Sequence, residues 1–196
     1  GINTFLDLID PTTLDAVEVL RGPNSAQYGS DALGGSVQFL SHVPPVGISG
    51  RPAFNGVASV GGSTADSSGG ANLSASYAAQ GLGLFVALAG RRSGDLRPGG
   101  GFDSHAAITR FLGLSSDTLM PAHLPDTGFT QVGGQFSLNW TPSPDRQIVA
   151  SYRRGQQASG KRYDQLLGGD GNLLADLRDL SLDLGYVRFE QSGAGW

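Results

Sequence analysis

The sequence predicts a mostly β chain built from antiparallel strands. Three observations carry this. Six segments of about ten residues alternate apolar and polar side chains with period two. Glycine supplies 31 of 196 residues, roughly twice its usual share of ~7%, with no collagen-like or heptad period to absorb it. The connections between the alternating segments are short and long by turns.

The segments justify themselves one by one. In the first, Phe54, Gly56, Ala58 and Val60 share a face against Asn55, Val57 and Ser59. In the second, Ala71, Leu73, Ala75 and Tyr77 oppose Asn72, Ser74 and Ser76, and in the third Leu82, Leu84, Val86 and Leu88 oppose Gly83, Phe85, Ala87 and Ala89. The fourth is the cleanest, with Val132, Phe136, Leu138 and Trp140 against Gln131, Gln135, Ser137 and Asn139. A fifth carries Ile148, Ala150 and Tyr152 against Gln147, Val149 and Ser151. The sixth sets Leu180, Leu182, Leu184 and Tyr186 as its apolar face against Ser181, Asp183 and Gly185.

Soluble antiparallel sheets alternate too. Here the polar face is mostly small or neutral, and Tyr77, Trp140, Tyr152 and Tyr186 stand near the ends of the apolar face, where a barrel meets the membrane interface. Residues 79–81 and 141–145 are tight turns, whereas 93–128 and 156–179 are long and polar; short turns on one side and long loops on the other is the outer-membrane pattern. Residues 63–68 depart from it as a modest loop on the long-loop side. On this reading Arg188 shares the membrane face, which is tolerable only near the interface, since a mid-bilayer cation costs ~2–4 kcal/mol.

Several classes are excluded. The net charge of −4 argues against nucleic acid. With no cysteine there is no disulfide framework or thiolate metal site, and no run of 18 apolar residues offers a membrane helix. Residues 1–5 lack the basic start and apolar core of a signal peptide, which means either a cytoplasmic protein or a chain whose beginning is missing. The three histidines have no Ser/Asp grouping of nucleophilic type, and no enzyme is expected.

The stretch 15–40 organises the rest. Two apolar runs, 17–20 and 37–40, flank Gly22, Pro23, Gly29, Gly34 and Gly35. Pro23 suits a helix start, and the glycines allow positive φ or close backbone approach. The prediction is strand, helical turn, tight turn, strand. Asp10 and Pro11 start a short helical turn before it.

This stretch resembles the C-terminal part of the plug of TonB-dependent outer-membrane receptors. The resemblance rests on three linked blocks, Val17-Glu18-Val19-Leu20-Arg21-Gly22-Pro23, Ser25-Ala26-Gln27-Tyr28-Gly29 and Ala32-Leu33-Gly34-Gly35. It departs at Ser36-Val37-Gln38-Phe39, where the family more often reads V-I-N-I. The resemblance implies residues 1–46 as the end of a plug, 47–52 as a Pro-rich linker and 53–196 as the first six strands and loops of an incomplete barrel of about 22 strands. It further implies outer-membrane localisation and uptake of a scarce ligand driven through a TonB-type partner, whose contact segment precedes this chain. It makes Glu18, Arg21, Gly22, Pro23, Tyr28, Gly29, Gly34 and Gly35 candidates for plug–barrel packing, with the glycines used for close packing inside the barrel.

Candidate ligand contacts lie beyond the strand ends. Arg91, Arg92, Arg153, Arg154, Lys161, Arg162 and Tyr163 suit an anion-attracting mouth; a solvated surface or lipid headgroup contact is the plainer reading. His105 and His123 are polar loop residues rather than metal ligands. Asp164, Asp170 and Asp176 beside Gly171 and Asn172 suggest a calcium loop but miss its spacing, and a polar turn is the plainer reading. No cofactor is expected. The rival function is a secreted β-rich adhesin or carbohydrate-binding module, in which the apolar face would pack on a second sheet.

Overall fold

Two antiparallel sheets make up the chain: a two-stranded hairpin and a six-stranded meander. The computed structural model describes residues 8–30, 32–48, 50–97, 127–160 and 179–193. His105, His123, Lys161, Arg162, Tyr163 and the acidic turn at 164–176 lie outside them.

The hairpin starts with a 3-10 turn over Pro11–Thr13, closed by the Thr13 amide and hydroxyl, both donating to the Asp10 carbonyl at 3.0 and 2.7 Å. Strand β1, Leu14–Arg21, then pairs with β2, Gly35–Ser41, from Arg21 opposite Gly35 to Leu14 opposite Ser41, with a bulge near Leu14. Between them the single helical turn α1, Ser25–Tyr28, follows Asn24 in the N-cap position. Gly22 and Gly29 have φ of +96° and +92°, and a Cβ on either would meet open space. Backbone sign is therefore what selects glycine there, not close packing against the large sheet.

The meander runs β3 Ala53–Ser63, β4 Ser68–Ala79, β5 Leu82–Ser93, β6 Phe129–Ser143, β7 Arg146–Ala158 and β8 Asp179–Gln191, in that spatial order. Residues directly opposite share a face, so the registers sort the side chains. Phe54, Tyr77, Leu84, Leu138, Ala150 and Val187 follow one another across the sheet on one face. Ser76, Phe85, Ser137 and Ser151 form the parallel row on the other. The first face is apolar and half-exposed; on the second, Ala87, Gln135, Ser137, Val149 and Arg153 are buried.

β8 reverses the expected assignment. Its unbroken register sets Leu184 opposite Arg153, Tyr186 opposite Ser151 and Arg188 opposite Val149, so the Leu180–Leu182–Leu184–Tyr186–Arg188 row lies on the polar face with Arg153. Asp183, Gly185, Val187 and Phe189 take the apolar face instead. Arg188 therefore needs no place at a membrane interface; it pairs with Glu190 at 3.1 Å.

The hairpin lies on the polar face, and glycine permits the approach. A Cβ on Gly155 would stand 2.3 Å from the Leu8 carbonyl oxygen, and one on Gly83 2.5 Å from that of Pro45. Gly47 forms a parallel bridge with Gln80, its amide donating to the Ala79 carbonyl at 2.8 Å. Gly155→Leu is expected to push residues 8–13 off the sheet at an overpacking cost of about 1–3 kcal/mol. Native-state trypsin cleavage at Arg21 would then rise roughly tenfold or more, while an unchanged rate would mean that this contact does not hold the hairpin.

Candidate functional site

The junction between hairpin and sheet is built from long polar side chains on the inward positions of β6 and β7. Three of them donate to three main-chain carbonyls of the N-terminal segment. Arg153 Nη2 donates to the Thr13 carbonyl at 3.2 Å, Gln135 Nε2 to that of His42 at 3.5 Å, and Asn139 Nδ2 to that of Pro44 at 2.8 Å. These acceptors sit just before β1 and just after β2, where hairpin pairing stops and a buried carbonyl needs another partner.

Each donor is itself held. Arg153, only 6% exposed, also donates to Gln135 Oε1 and, at 3.5 Å, to Ser41 Oγ. Gln135 Nε2 donates to Ser137 Oγ at 2.9 Å, and Ser137 Oγ lies 3.1 Å from Ser151 Oγ. Gln147 Nε2 donates to Asn139 Oδ1 at 2.8 Å. The His42 ring packs on Phe85 with centroids 4.4 Å apart, and its Nδ1 lies 3.0 Å from Asp15 Oδ1. Arg153 pairs with no carboxylate among the described residues, so its charge is met by oxygen dipoles alone.

A second polar region lies at the other end of the sheet, by the long connections. Arg91 Nε donates to Gln131 Oε1 at 2.7 Å, and its guanidinium sits 5.2 Å over the Phe129 ring. Arg91, Asp10, Asp66, Asn72 and Phe129 line a recess of about 380 Å³. Asp66, in the turn between β3 and β4, accepts from the Ser68 amide at 3.2 Å and from the Ser93 hydroxyl at 3.1 Å. Its carboxyl is held below the ordinary aspartate range chiefly by the hydrogen bond from the Ser68 hydroxyl, which desolvation opposes and the Ser93 hydroxyl reinforces.

The sequence-predicted residues are distributed as follows. Arg91 and Arg153 share the polar face, but at different places, Arg91 at the recess and Arg153 beneath the hairpin. Arg92 and Arg154 have the opposite parity and lie on the apolar face. Arg91 and Arg92 nevertheless both line the recess, and Arg153 and Arg154 are not in its lining. Glu18, Arg21, Pro23, Tyr28, Gly29 and Gly34 are exposed, and Gly22 and Gly35 half-buried, in the described structure. Of the carbonyl-binding trio, Arg153 is a sequence candidate for a ligand mouth rather than for this junction, and Gln135 and Asn139 are not sequence candidates for a site, although long polar residues on the inward side of an alternating strand are the available signal.

Residues 1–36 match the family model described as the TonB-dependent receptor plug domain. The chain carries a TonB-dependent receptor plug segment. A solved structure described as "Copper transporter OprC" shares the fold with a TM-score of 0.64 at 19% sequence identity. The alignment covers 94% of this chain and 23% of that one, so the chain spans about a quarter of its length. A search of curated protein sequences finds no match. The matched residues include β1, α1 and the start of β2, and the trio on β6 and β7 is where the sheet grips this hairpin.

Arg153→Met removes the charge-assisted donations to Thr13, Gln135 and Ser41 from a buried site, where a hydrogen bond to a charged group is worth about 1.5–3 kcal/mol. It is expected to speed amide hydrogen exchange in β1 and β2 by roughly 10-fold or more, with β4–β5 amides unchanged, and unaltered hairpin exchange would remove Arg153 from the junction. For Asp66 the depressed folded pKa means that its charge-dependent hold on Ser68 is present above the model-compound value of 3.8 and is lost as pH falls below it. An NMR titration should move the Ser68 amide resonance in that acid range and not in Asp66→Asn; a midpoint at or above the ordinary value would contradict the assignment.

Proposed function

We propose that this chain is the end of the plug and the first stretch of wall of an outer-membrane transporter. About sixteen further strands would complete a barrel of about 22. The transporter takes up a scarce ligand of siderophore, cofactor or oligosaccharide type, driven by a TonB-type partner that engages a segment preceding this chain. The observation that carries the reading is the two-faced sheet. Its polar face carries the plug hairpin, and its apolar face is uncovered among the described residues. An adhesin or carbohydrate-binding module would bury Val86, Phe136 and Leu138 under a second sheet, whereas the second sheet described here lies on the other side.

In this reading β3–β8 face lipid with the apolar row, and the long connections point outward from the cell. Residues 1–46, 47–52 and 53–196 are plug, linker and wall. Glu18, Arg21, Pro23, Tyr28, Gly29 and Gly34, exposed against these six strands, and the half-buried Gly22 and Gly35 meet further wall strands of the barrel. The ligand reaches the recess at Arg91, whose guanidinium suits carboxylate or phosphate groups. Copper is the cargo named for the fold relative. The described residues bring together no group of three His, Cys, Asp or Glu, and nothing in this part of the chain favours copper over the other ligands.

Uptake by cells producing the full-length receptor tests this. Labelled ferric siderophore, corrinoid, oligosaccharide and copper ion would be offered in turn, with and without the energy-coupling protein. One of them should accumulate only when both proteins are present, and Arg91→Ala should raise the half-saturating concentration roughly tenfold. Recovery of the protein as a soluble secreted species that binds sugar without membrane insertion would overturn the reading.

A further inference from the structure

The recess at Arg91 holds cations and carboxylates that do not pair with one another. Asp10 and Asp66 share its lining with Arg91 and Arg92, yet neither arginine forms an ion pair among the described residues. Asp66 is turned toward its own turn, where the Ser68 amide and the Ser93 hydroxyl occupy it. Arg91 is fixed at its inner edge and on one face, because its Nε donates to Gln131 and its guanidinium lies over Phe129. The Nη edge is the part left for a ligand. That edge is a planar fork already oriented by its neighbours, and a carboxylate fits it through paired, parallel hydrogen bonds.

Much of the remaining lining is main chain. Gly61, Gly70 and Arg91 follow one another across β3, β4 and β5. A Cβ on Gly70 would stand 2.9 Å from Arg91 Cβ and from the Gly90 carbonyl oxygen, so glycine there lets the arginine keep its place. A Cβ on Gly61 would meet nothing within 4 Å, so that part of the recess is open. Asn72 lines it too, and its side-chain amide makes no hydrogen bond with a described residue, which leaves donors and an acceptor for a ligand. Leu96, 48% exposed, adds an apolar side beside Phe129. The volume of about 380 Å³ is near the lower limit of small-molecule sites, ~300–1,000 Å³, and suits a single ring-sized group.

We propose that the recess takes one carboxylated sugar ring, a uronic acid unit, with its carboxylate on the Arg91 fork, a hydroxyl on Asn72 and its C–H face against Phe129 and Leu96. Charge selects carboxylate over phosphate. Two arginines against two aspartates leave the described lining neutral, and a single negative charge on the ligand meets the fork without excess. A phosphate dianion or a trianionic iron complex brings more negative charge beside Asp10 and Asp66, and like charge at close range is the repulsive element of a selective site. A bare carboxylate would leave Asn72 and Leu96 unused, whereas a sugar acid reaches both. The inference rests on the reading of this recess as the ligand site of a transporter and narrows its cargo to acidic saccharides.

The test titrates the full-length receptor, purified from outer membranes, with methyl glucuronoside, methyl glucoside and glucose 6-phosphate, read by saturation-transfer NMR. Wild type and Arg146→Gln, a charge change at the far end of β7, should each bind the glucuronoside roughly tenfold or more tightly than the other two. Arg91→Lys keeps the charge but loses the fork and should weaken the glucuronoside roughly tenfold. So should Gly61→Leu, which fills the open part of the recess. Asp66→Asn should narrow the gap between glucuronoside and glucose 6-phosphate. Equal binding of the three compounds by the wild type, tightest binding of the phosphate, a glucuronoside affinity unchanged in either Arg91→Lys or Gly61→Leu, or a gap unchanged in Asp66→Asn overturns the proposal. Uptake by cells separates this from the transporter reading. Energy-coupled, Arg91-dependent uptake of ferric siderophore, corrinoid or copper ion that an oligoglucuronide does not compete overturns the sugar-acid assignment alone, whereas no energy-coupled uptake of any ligand, the oligoglucuronide included, overturns the transporter reading and this assignment with it.

Discussion

Three side chains of a β-sheet donating to three carbonyls of another segment decide how this chain is put together. A hairpin laid on a sheet leaves main-chain acceptors wherever its own pairing ends, and a buried acceptor left unmet costs about 1–3 kcal/mol. Arg153, Gln135 and Asn139 meet the carbonyls of Thr13, His42 and Pro44. The contact reads backbone rather than side chains. Glycine at 83 and 155 brings the two backbones close enough for this grip, since a Cβ at either site would collide with a carbonyl. A contact of this kind holds the hairpin in one place through three moderate, separately breakable bonds.

The same alternation that aims Arg153 at the plug aims Arg154 the other way. Adjacent residues on a strand serve different media, so two neighbouring arginines have different work: one is buried under the hairpin, the other stands on the apolar face beside Tyr152 and Asp183. A charge cluster counted along the sequence is thus split by the sheet into two.

The strand pattern of β3 to β7 is legible from the sequence, because those strands put most of their large apolar residues on one parity and most of their small or polar residues on the other, with Val57, Phe85 and Val149 as exceptions. β8 is not. It carries Leu180, Leu182 and Leu184 on one parity and Val187 and Phe189 on the other, so periodicity alone leaves its facing open, and pairing with β7 settles it. The plug motif was readable as an assembly of strand, turn and strand, but the reason for its glycines was not, since positive φ and close packing select the same residue. The junction itself stayed hidden because its acceptors are main-chain atoms, which no side-chain pattern announces.

The account's central claim is that the two faces of this sheet meet different surroundings, one the plug and the other the hydrocarbon of a membrane. Because the chain has no cysteine, single cysteines can report on each face without a background. Substitution at Leu138, Val86 and Val187 against Ser74, Leu184 and Tyr186 in the full-length receptor, probed with a bilayer-restricted thiol reagent and with a membrane-impermeant one, is the most direct measurement. The first three are predicted to react only with the bilayer-restricted reagent and the last three to be inert to it, including the two on β8. Reaction of Leu138 or Val187 positions with the water-borne reagent, or of Leu184 with the lipid-borne one, would contradict the account.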